Sequence, residues 1–175
     1  MMVTVNGINF VLLPRIFLFF IQKHASAYMI RVDYPEHPFR IRRDNDIAFI
    51  FDELRKTWLR LTDEEWVRQN FLQYMLQVLH YPAALIAVEK EIKLGELKKR
   101  FDILVYNNDH QPWLMVECKA MTVPLTEEVL QQILRYNIAV PVKYMVITNG
   151  EYCAGFVKQD AQLQALAALP EFGLY

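Results

Sequence analysis

The stretch KKRFDILVYNNDHQPWLMVECKA, residues 98–120, reads as two β-strands joined by a turn. RFDILVY and WLMVECK carry the β-branched, aromatic and aliphatic residues that suit a pleated, buried surface, and NNDHQP between them supplies turn residues. Asp102, Glu117 and Lys119 interrupt these otherwise apolar runs. With the turn centred on Asp109 and His110, antiparallel pairing sets residue 102 opposite residue 117, with Cβ atoms about 4.5–5.5 Å apart on one face. Glu117 and Lys119, two apart on one strand, also share that face, while Val116 and Cys118 point to the other layer. Two carboxylates so close repel unless a cation lies between them. Mg²⁺ suits that position: it takes oxygen ligands, accepts one or two carboxylates, and fills its remaining positions with water and phosphate. It also lowers the pKa of an attacking water and neutralises phosphate charge, so the trio points to phosphodiester hydrolysis.

The flanks supply the layers. Thr62 is an expected N-cap for the helix DEEWVRQNFLQYMLQVLH, and Asp63, Glu64 and Glu65 occupy the first turn, where the helix dipole favours negative charge. At 100° per residue Val67, Phe71, Tyr74, Met75 and Val78 share a face suited to packing on a sheet; Glu64 projects onto that face and Glu65 toward the rim. ALIAVEKEIKL has strand character. After Pro124 comes a second helix, TEEVLQQILRYNIA, with Thr126 as its cap, and then two more expected strands, KYMVITNG and EYCAGFVK. Upstream, DYPEHPFRIRRDND reads as irregular and IAFIFDELRKTWLRL as a short helix. The tail AQLQALAALPEF reads as a closing helix. The expected class is α/β: a mixed sheet flanked by helices in the order α-β-β-β-α-β.

The chain has 175 residues, 54% of them hydrophobic and 22% charged, which is enough for one domain with a real core. Nineteen Lys and Arg against twenty Asp and Glu give a net charge of −1, so a polyanion would have to be met by a local patch. The two cysteines, Cys118 and Cys153, lack metal-type spacing and fit reduced thiols in a cytoplasmic protein. Four scattered histidines give no zinc pattern, and His110 belongs to the turn. Residues 1–28 are apolar, but Pro14 and Arg15 split them. The run Ile16–Ile21 is too short to span a bilayer and fits a signal peptide poorly, despite the cleavage-like Ala25-Ser26-Ala27. The expected organisation is an N-terminal appendage over 1–28, lying ahead of a folded unit and possible start near Met29, a lead-in with a short helix over 29–61, and the main domain over 62–175.

In that order LTDEEWVRQNF, RFDILVY, PWLMVECKA, QILRYN and VITNG resemble the N-terminal nuclease domain of type I restriction enzyme restriction subunits, within the PD-(D/E)xK nuclease superfamily. The resemblance covers about residues 46–158; Phe101 stands where the superfamily's name has proline. It implies a restriction-endonuclease-like fold in which Asp102 and Glu117 bind Mg²⁺, replaceable by Mn²⁺, with the Cys118 carbonyl as a further ligand and Lys119 as catalytic lysine. It also implies an acidic residue on the first helix, matched by Glu64 or Glu65 with Glu64 favoured, and a Q-x-x-x-Y pair, Gln132 and Tyr136, which bonds DNA or braces the lysine. DNA is the implied substrate. A helicase motor and specificity or modification subunits are the implied partners.

Arg68, one turn after Glu64, is either its salt-bridge partner or a phosphate contact. Lys98, Lys99 and Arg100, with the cluster Arg40, Arg42 and Arg43, are further candidate phosphate contacts. The sequence holds no G-x-x-x-x-G-K-[ST] phosphate loop, so no ATP site is expected. An intact Asp102, Glu117, Lys119 set favours an enzyme. The rival expectation is a noncatalytic nuclease fold that binds DNA or a protein within a larger assembly.

Overall fold

A computed structural model of the chain describes residues 2–5, 8–11, 29–94, 97–159 and 162–173. Within residues 1–28 it shows one antiparallel pair, β1 (Met2–Val5) with β2 (Ile8–Val11). The rest of the expected appendage lies outside the described residues.

The central sheet grows outward from the expected hairpin. β8 (Leu97–Tyr106) and β9 (Pro112–Cys118) pair antiparallel with Ile103 opposite Val116 and Val105 opposite Leu114; a bulge between Val105 and Tyr106 lets Tyr106 face Pro112. The turn is built by Asn107, whose side-chain oxygen accepts the Asp109 and Gln111 N–H groups, and His110 takes the left-handed conformation there (φ 58°). β7 (Ile86–Leu94) flanks β8 on the outside. On the other side β10 (Tyr144–Thr148) runs parallel to β9, which requires a crossover, and α2 (Glu127–Ala139) makes it. β11 (Tyr152–Gln159) returns antiparallel to β10. Its outer edge takes β12 (Gln162–Ala165) along one half and β3 (Ile30–Arg31) along the other.

Alternation along these strands divides the core in two. Ile103, Val105, Leu114, Val116, Cys118 and Val146 face α1 (Asp63–Gln77) and pack on Val67, Phe71, Leu72 and Met75. Leu104, Met115, Met145 and Ile147 face α2 and meet Leu130 and Ile133. Each fully buried side chain of this size contributes about 1.5–3 kcal/mol of transfer free energy, so both helices are held on mainly by their apolar contacts. Thr62 caps α1 as expected, its hydroxyl accepting the Glu65 N–H at 3.1 Å. Thr126 stands at the N-cap of α2 with no capping bond from its side chain. Among the described residues no helix is long and apolar enough to cross a membrane.

Four expectations of the fold are overturned, the first being that DYPEHPFRIRRDND is irregular throughout, since its IRRD is the strand β4 (Ile41–Asp44). IAFIFDELRKTWLRL is not a helix but a hairpin, β5 (Ile47–Asp52) and β6 (Thr57–Arg60), which with β4 (Ile41–Asp44) forms a separate three-stranded sheet. Asp52 drives the turn: its Oδ1 accepts the Leu54 and Arg55 N–H groups at 2.8 and 2.7 Å, and Lys56 takes a left-handed φ of 55°. The Ala- and Leu-rich tail is not a helix either. β12 buries Leu163 on the sheet, and Leu166 and Leu169 lie over Gly155, where a Cβ would come within 2.7 Å of Leu169 Cδ2. Finally, Val78 does not share the buried face of α1. It is 40% exposed at the helix end, just before the left-handed turn at His80.

Candidate active site at the ends of β8 and β9

The β8–β9 ladder ends at Ile103 and Val116; one step further, on the same register, Asp102 stands across from Glu117. There the strands part, and the Cys118 N–H is satisfied by the Asp102 side chain, Oδ2 accepting at 2.7 Å. On the β7 side the ladder also skips a rung, Glu89 against Asp102, and Glu89 has a φ of 48°. A glutamate in the left-handed region costs of order 1–3 kcal/mol and persists only where surrounding contacts hold it. Three adjacent strands therefore bring an acidic residue each, Glu89, Asp102 and Glu117, to one band of the sheet.

Two cationic systems hold this band. On the α2 side, Lys119 Nζ donates to Glu117 Oε1 at 2.6 Å, and Gln132 Nε2 donates to the same oxygen and contacts Tyr136 Oη at 3.2 Å. Tyr136 is set edge-on to Phe101, ring centroids 5.4 Å apart. On the α1 side, Arg68 Nη2 donates to Asp102 Oδ1 at 2.9 Å and to Glu64 Oε1 at 3.0 Å, and its Nη1 donates to Glu65 Oε2. Glu89 Oε1 lies 3.7 Å from the same Nη1. Behind Arg68, Arg55 in the β5–β6 turn donates to Asp52, Glu65 and Glu89 at 2.6, 2.9 and 2.6 Å, and Gln69 donates to both Asp52 and Glu65.

The electrostatics separate the two carboxylates' neighbours. Burial, then the charge of Asp102, push Glu117 up to about 7, and the hydrogen bond from Lys119 only partly offsets them. Burial works against the Lys119 ammonium, but the hydrogen bond and charge of Glu117 outweigh it and hold its pKa above the ordinary lysine value. Lys119 thus stands as an ammonium beside the Glu117 carboxylate. Burial also drives the Cys118 thiol well up, with Asp102 adding to it, so Cys118 is no thiolate nucleophile.

These placements bear on each expected residue. Asp102, Glu117, Lys119, Gln132 and Tyr136 come together, although Asp102 is engaged from the α1 side and Glu117 from the α2 side. Glu64 stands beside Asp102 through Arg68 and its charge acts on Glu117. The expectation that Glu65 turns to the rim is wrong: Glu65 is buried and Glu64 is 44% exposed, because Arg55, Arg68 and Gln69 draw Glu65 inward. Arg68 is 4% exposed and enclosed by carboxylates, and it is the salt-bridge partner of Glu64, Glu65 and Asp102. Arg100 is 67% exposed with Glu89 3.7 Å away. Lys98 and Lys99 lie on β8, and their side chains fall outside the described ones. Asp52, Arg55, Gln69 and Glu89 were not anticipated. The signal for Gln69 was present, since Glu65, Arg68 and Gln69 fall at i, i+3 and i+4 on one helix face.

Two carboxylates alone do not make a closed metal cage, and among the described residues no three His, Cys, Asp or Glu side chains gather as one. The donor set still fits a hard cation that keeps much of its water. Burial and then the charge of Asp102 raise the pKa of Glu117, which a cation between the two carboxylates would relieve, and Glu117 Oε2 accepts no hydrogen bond among the described residues.

Residues 63–170 match the family described as Type I restriction enzyme R protein N terminus (HSDR_N). Among solved structures, a fragment of a protein described as an HsdR subunit of a type I restriction enzyme from Vibrio vulnificus YJ016 is similar at 24% identity and a TM-score of 0.38, over 49% of this chain and 18% of that one. No curated protein matches the chain.

Proposed function

As the chain belongs to the family of type I restriction enzyme R protein N termini, we propose that its Asp102, Glu117 and Lys119 form a Mg²⁺-dependent endonuclease centre acting on DNA. The observation that carries this reading is the Lys119 ammonium, fixed 2.6 Å from Glu117 beside the repelling pair of Asp102 and Glu117. Asp102 and Glu117, with the Cys118 carbonyl, would hold Mg²⁺ or, in its place, Mn²⁺. Bound there, the ion supplies a more acidic water and neutralises charge on the phosphate. Lys119 Nζ, kept protonated by Glu117, orients that water or the scissile phosphate. Gln132 and Tyr136 fix the Glu117 carboxylate from α2, and Arg68 fixes Asp102 and Glu64 from α1. Lys98, Lys99 and Arg100 are the phosphate contacts of this reading.

The matched region amounts to 18% of the solved chain it resembles. Restriction as a whole, in this reading, draws on parts beyond the domain: a motor, and specificity or modification subunits, are the partners it calls for, with DNA defence as the setting. One observation favours the noncatalytic reading: both Asp102 oxygens are engaged, by the Cys118 N–H and by Arg68. Plasmid nicking decides between them. Conversion of supercoiled to open-circle DNA in Mg²⁺, lost in EDTA and in Asp102→Ala, is the expected result; no nicking in Mg²⁺ or Mn²⁺ by a folded protein leaves the noncatalytic module.

A further inference from the structure

The small β4–β5–β6 sheet carries an ordered array of arginines and aromatic rings on one face. Phe51 pairs with Trp58 and its N–H donates to the Arg40 carbonyl at 3.0 Å, making one row; Arg42, Phe49 and Arg60 make the next. Residues across from one another in a sheet share a face. The Arg40 guanidinium lies 3.6 Å from the centre of the Phe51 ring, and that of Arg42 lies 4.6 Å from Trp58 and 5.5 Å from Phe49. Phe51 and Trp58 are themselves edge-to-face at 5.4 Å. Arg40, Arg42 and Arg60 are exposed, and among the described residues none of them forms an ion pair, in contrast to Arg55 and Arg68. Asp44 stands on this face only at its hairpin end. Arg43 belongs to the opposite face, with Ala48.

Guanidinium groups held over rings have already lost much of their rotamer freedom, so an incoming anion meets cations that need little ordering. Arg40 and Arg42 on the rings, with Arg60 beside them, are three cations without carboxylate partners among the described residues, and together they fit a polyanion. The interleaved rings narrow the choice: a duplex hides the faces of its bases, whereas an unpaired strand offers a base to stack and a phosphate to pair at every step. We propose that this face holds a single-stranded stretch of DNA, phosphates on the arginines and bases against Trp58 and the guanidinium planes. The choice of DNA rests on the nuclease reading above. The same sheet is tied to the candidate site, because Arg55 in the β5–β6 turn binds Glu65 and Glu89, and Glu65 binds the Arg68 that holds Asp102. A strand on this face is therefore held in fixed relation to the carboxylates.

The test is fluorescence anisotropy of labelled oligothymidine and of a duplex of equal length, both in EDTA, so that neither metal nor cleavage enters. The unpaired strand should bind more tightly than the duplex. Arg40→Gln with Arg42→Gln should weaken strand binding about tenfold or more at low salt and lower the salt slope by about 1.4, since each arginine–phosphate pairing accounts for about 0.7. Trp58→Leu should weaken it about tenfold and abolish the quenching of tryptophan emission that stacking produces. No binding of oligothymidine by the native protein, a duplex held as tightly as the strand, or an Arg40, Arg42 double variant of unchanged affinity and slope would each overturn the proposal. A protein that binds the strand but never nicks DNA keeps this face and removes the nuclease reading. One that nicks without such binding does the reverse.

Discussion

Arg68 Nη2 lies 2.9 Å from Asp102 Oδ1, joining the first helix to a strand 34 residues away at the point where the β8–β9 ladder gives out. The same nitrogen holds Glu64, and Nη1 holds Glu65, so one buried guanidinium hydrogen-bonds three carboxylates. Its Nε is buried with no acceptor, an added cost that the arrangement carries.

Removing that guanidinium should be severe. Arg68→Met strips the half-buried Asp102 of its cation and leaves the buried Glu65 with Arg55 alone, and is expected to destabilise the fold by about 3–5 kcal/mol. Arg68→Lys, a single point charge in place of a planar fork, should recover only part of this. Urea denaturation measures both, and a loss under about 1 kcal/mol for Arg68→Met would show that the network is dispensable.

Metal affinity should depend on both strand carboxylates. Asp102→Asn keeps a side chain able to accept from the Cys118 N–H but halves the charge available to a cation. Calorimetric titration with Mn²⁺ is expected to show at least a tenfold loss, in line with the removal of one ligand from a sparse site. Equal affinity in the native protein and the variant would place the metal elsewhere.

Lys119→Gln should separate turnover from binding. The substitution retains a donor near Glu117 but removes the fixed charge, and nicking is expected to fall about 10²–10³-fold, comparable to losing a transition-state donor. DNA affinity should drop only by one cation's share. If affinity and nicking vanish together in a folded variant, Lys119 anchors DNA and does no chemistry.

Glu117 sets a pH dependence of defined direction. Burial and Asp102 raise its pKa to about 7 from an ordinary 4.5, so the native state binds that proton more tightly than the unfolded chain. In EDTA its contribution to stability is full below about 4.5 and is lost as pH climbs through about 7. Metal affinity should run the other way, rising over the same window as the proton leaves. Glu117→Gln should flatten the first of these profiles in thermal melts; an unchanged slope would assign the titration to another group.

Much of the site was legible because its residues sit on strongly patterned elements. The β8–β9 register followed from a turn whose centre, Asn107 to Gln111, is made by one asparagine, and strand alternation then placed Glu117 opposite the layer holding Val116 and Cys118. What escaped depends on partners distant in sequence. DELRK favours a helix locally, yet Asp52 caps a turn because Gln69 on α1 completes its hydrogen bonds while Glu65 and Glu89 hold Arg55, all three from outside that stretch. The tail favours a helix by propensity, and the exposed edge of β11 overrides it. Glu65 was turned the wrong way for a related reason: a search for apolar periodicity passes over a polar stripe that becomes buried only when another sheet supplies its arginine.

The attachment of β3 and of the β5–β6 turn has a practical side for anyone dissecting the protein. A fragment trimmed to start at residue 63, where the family match begins, would lose Ile30 and Arg31 from the edge of β11, uncovering backbone donors and acceptors that invite sheet-to-sheet aggregation. It would also strip Arg55 from Glu65 and Glu89, leaving a cluster of acids facing one another around Arg68. Poor solubility of such a fragment would therefore report on the cut, and a start at or before Met29 is the boundary that keeps both attachments intact.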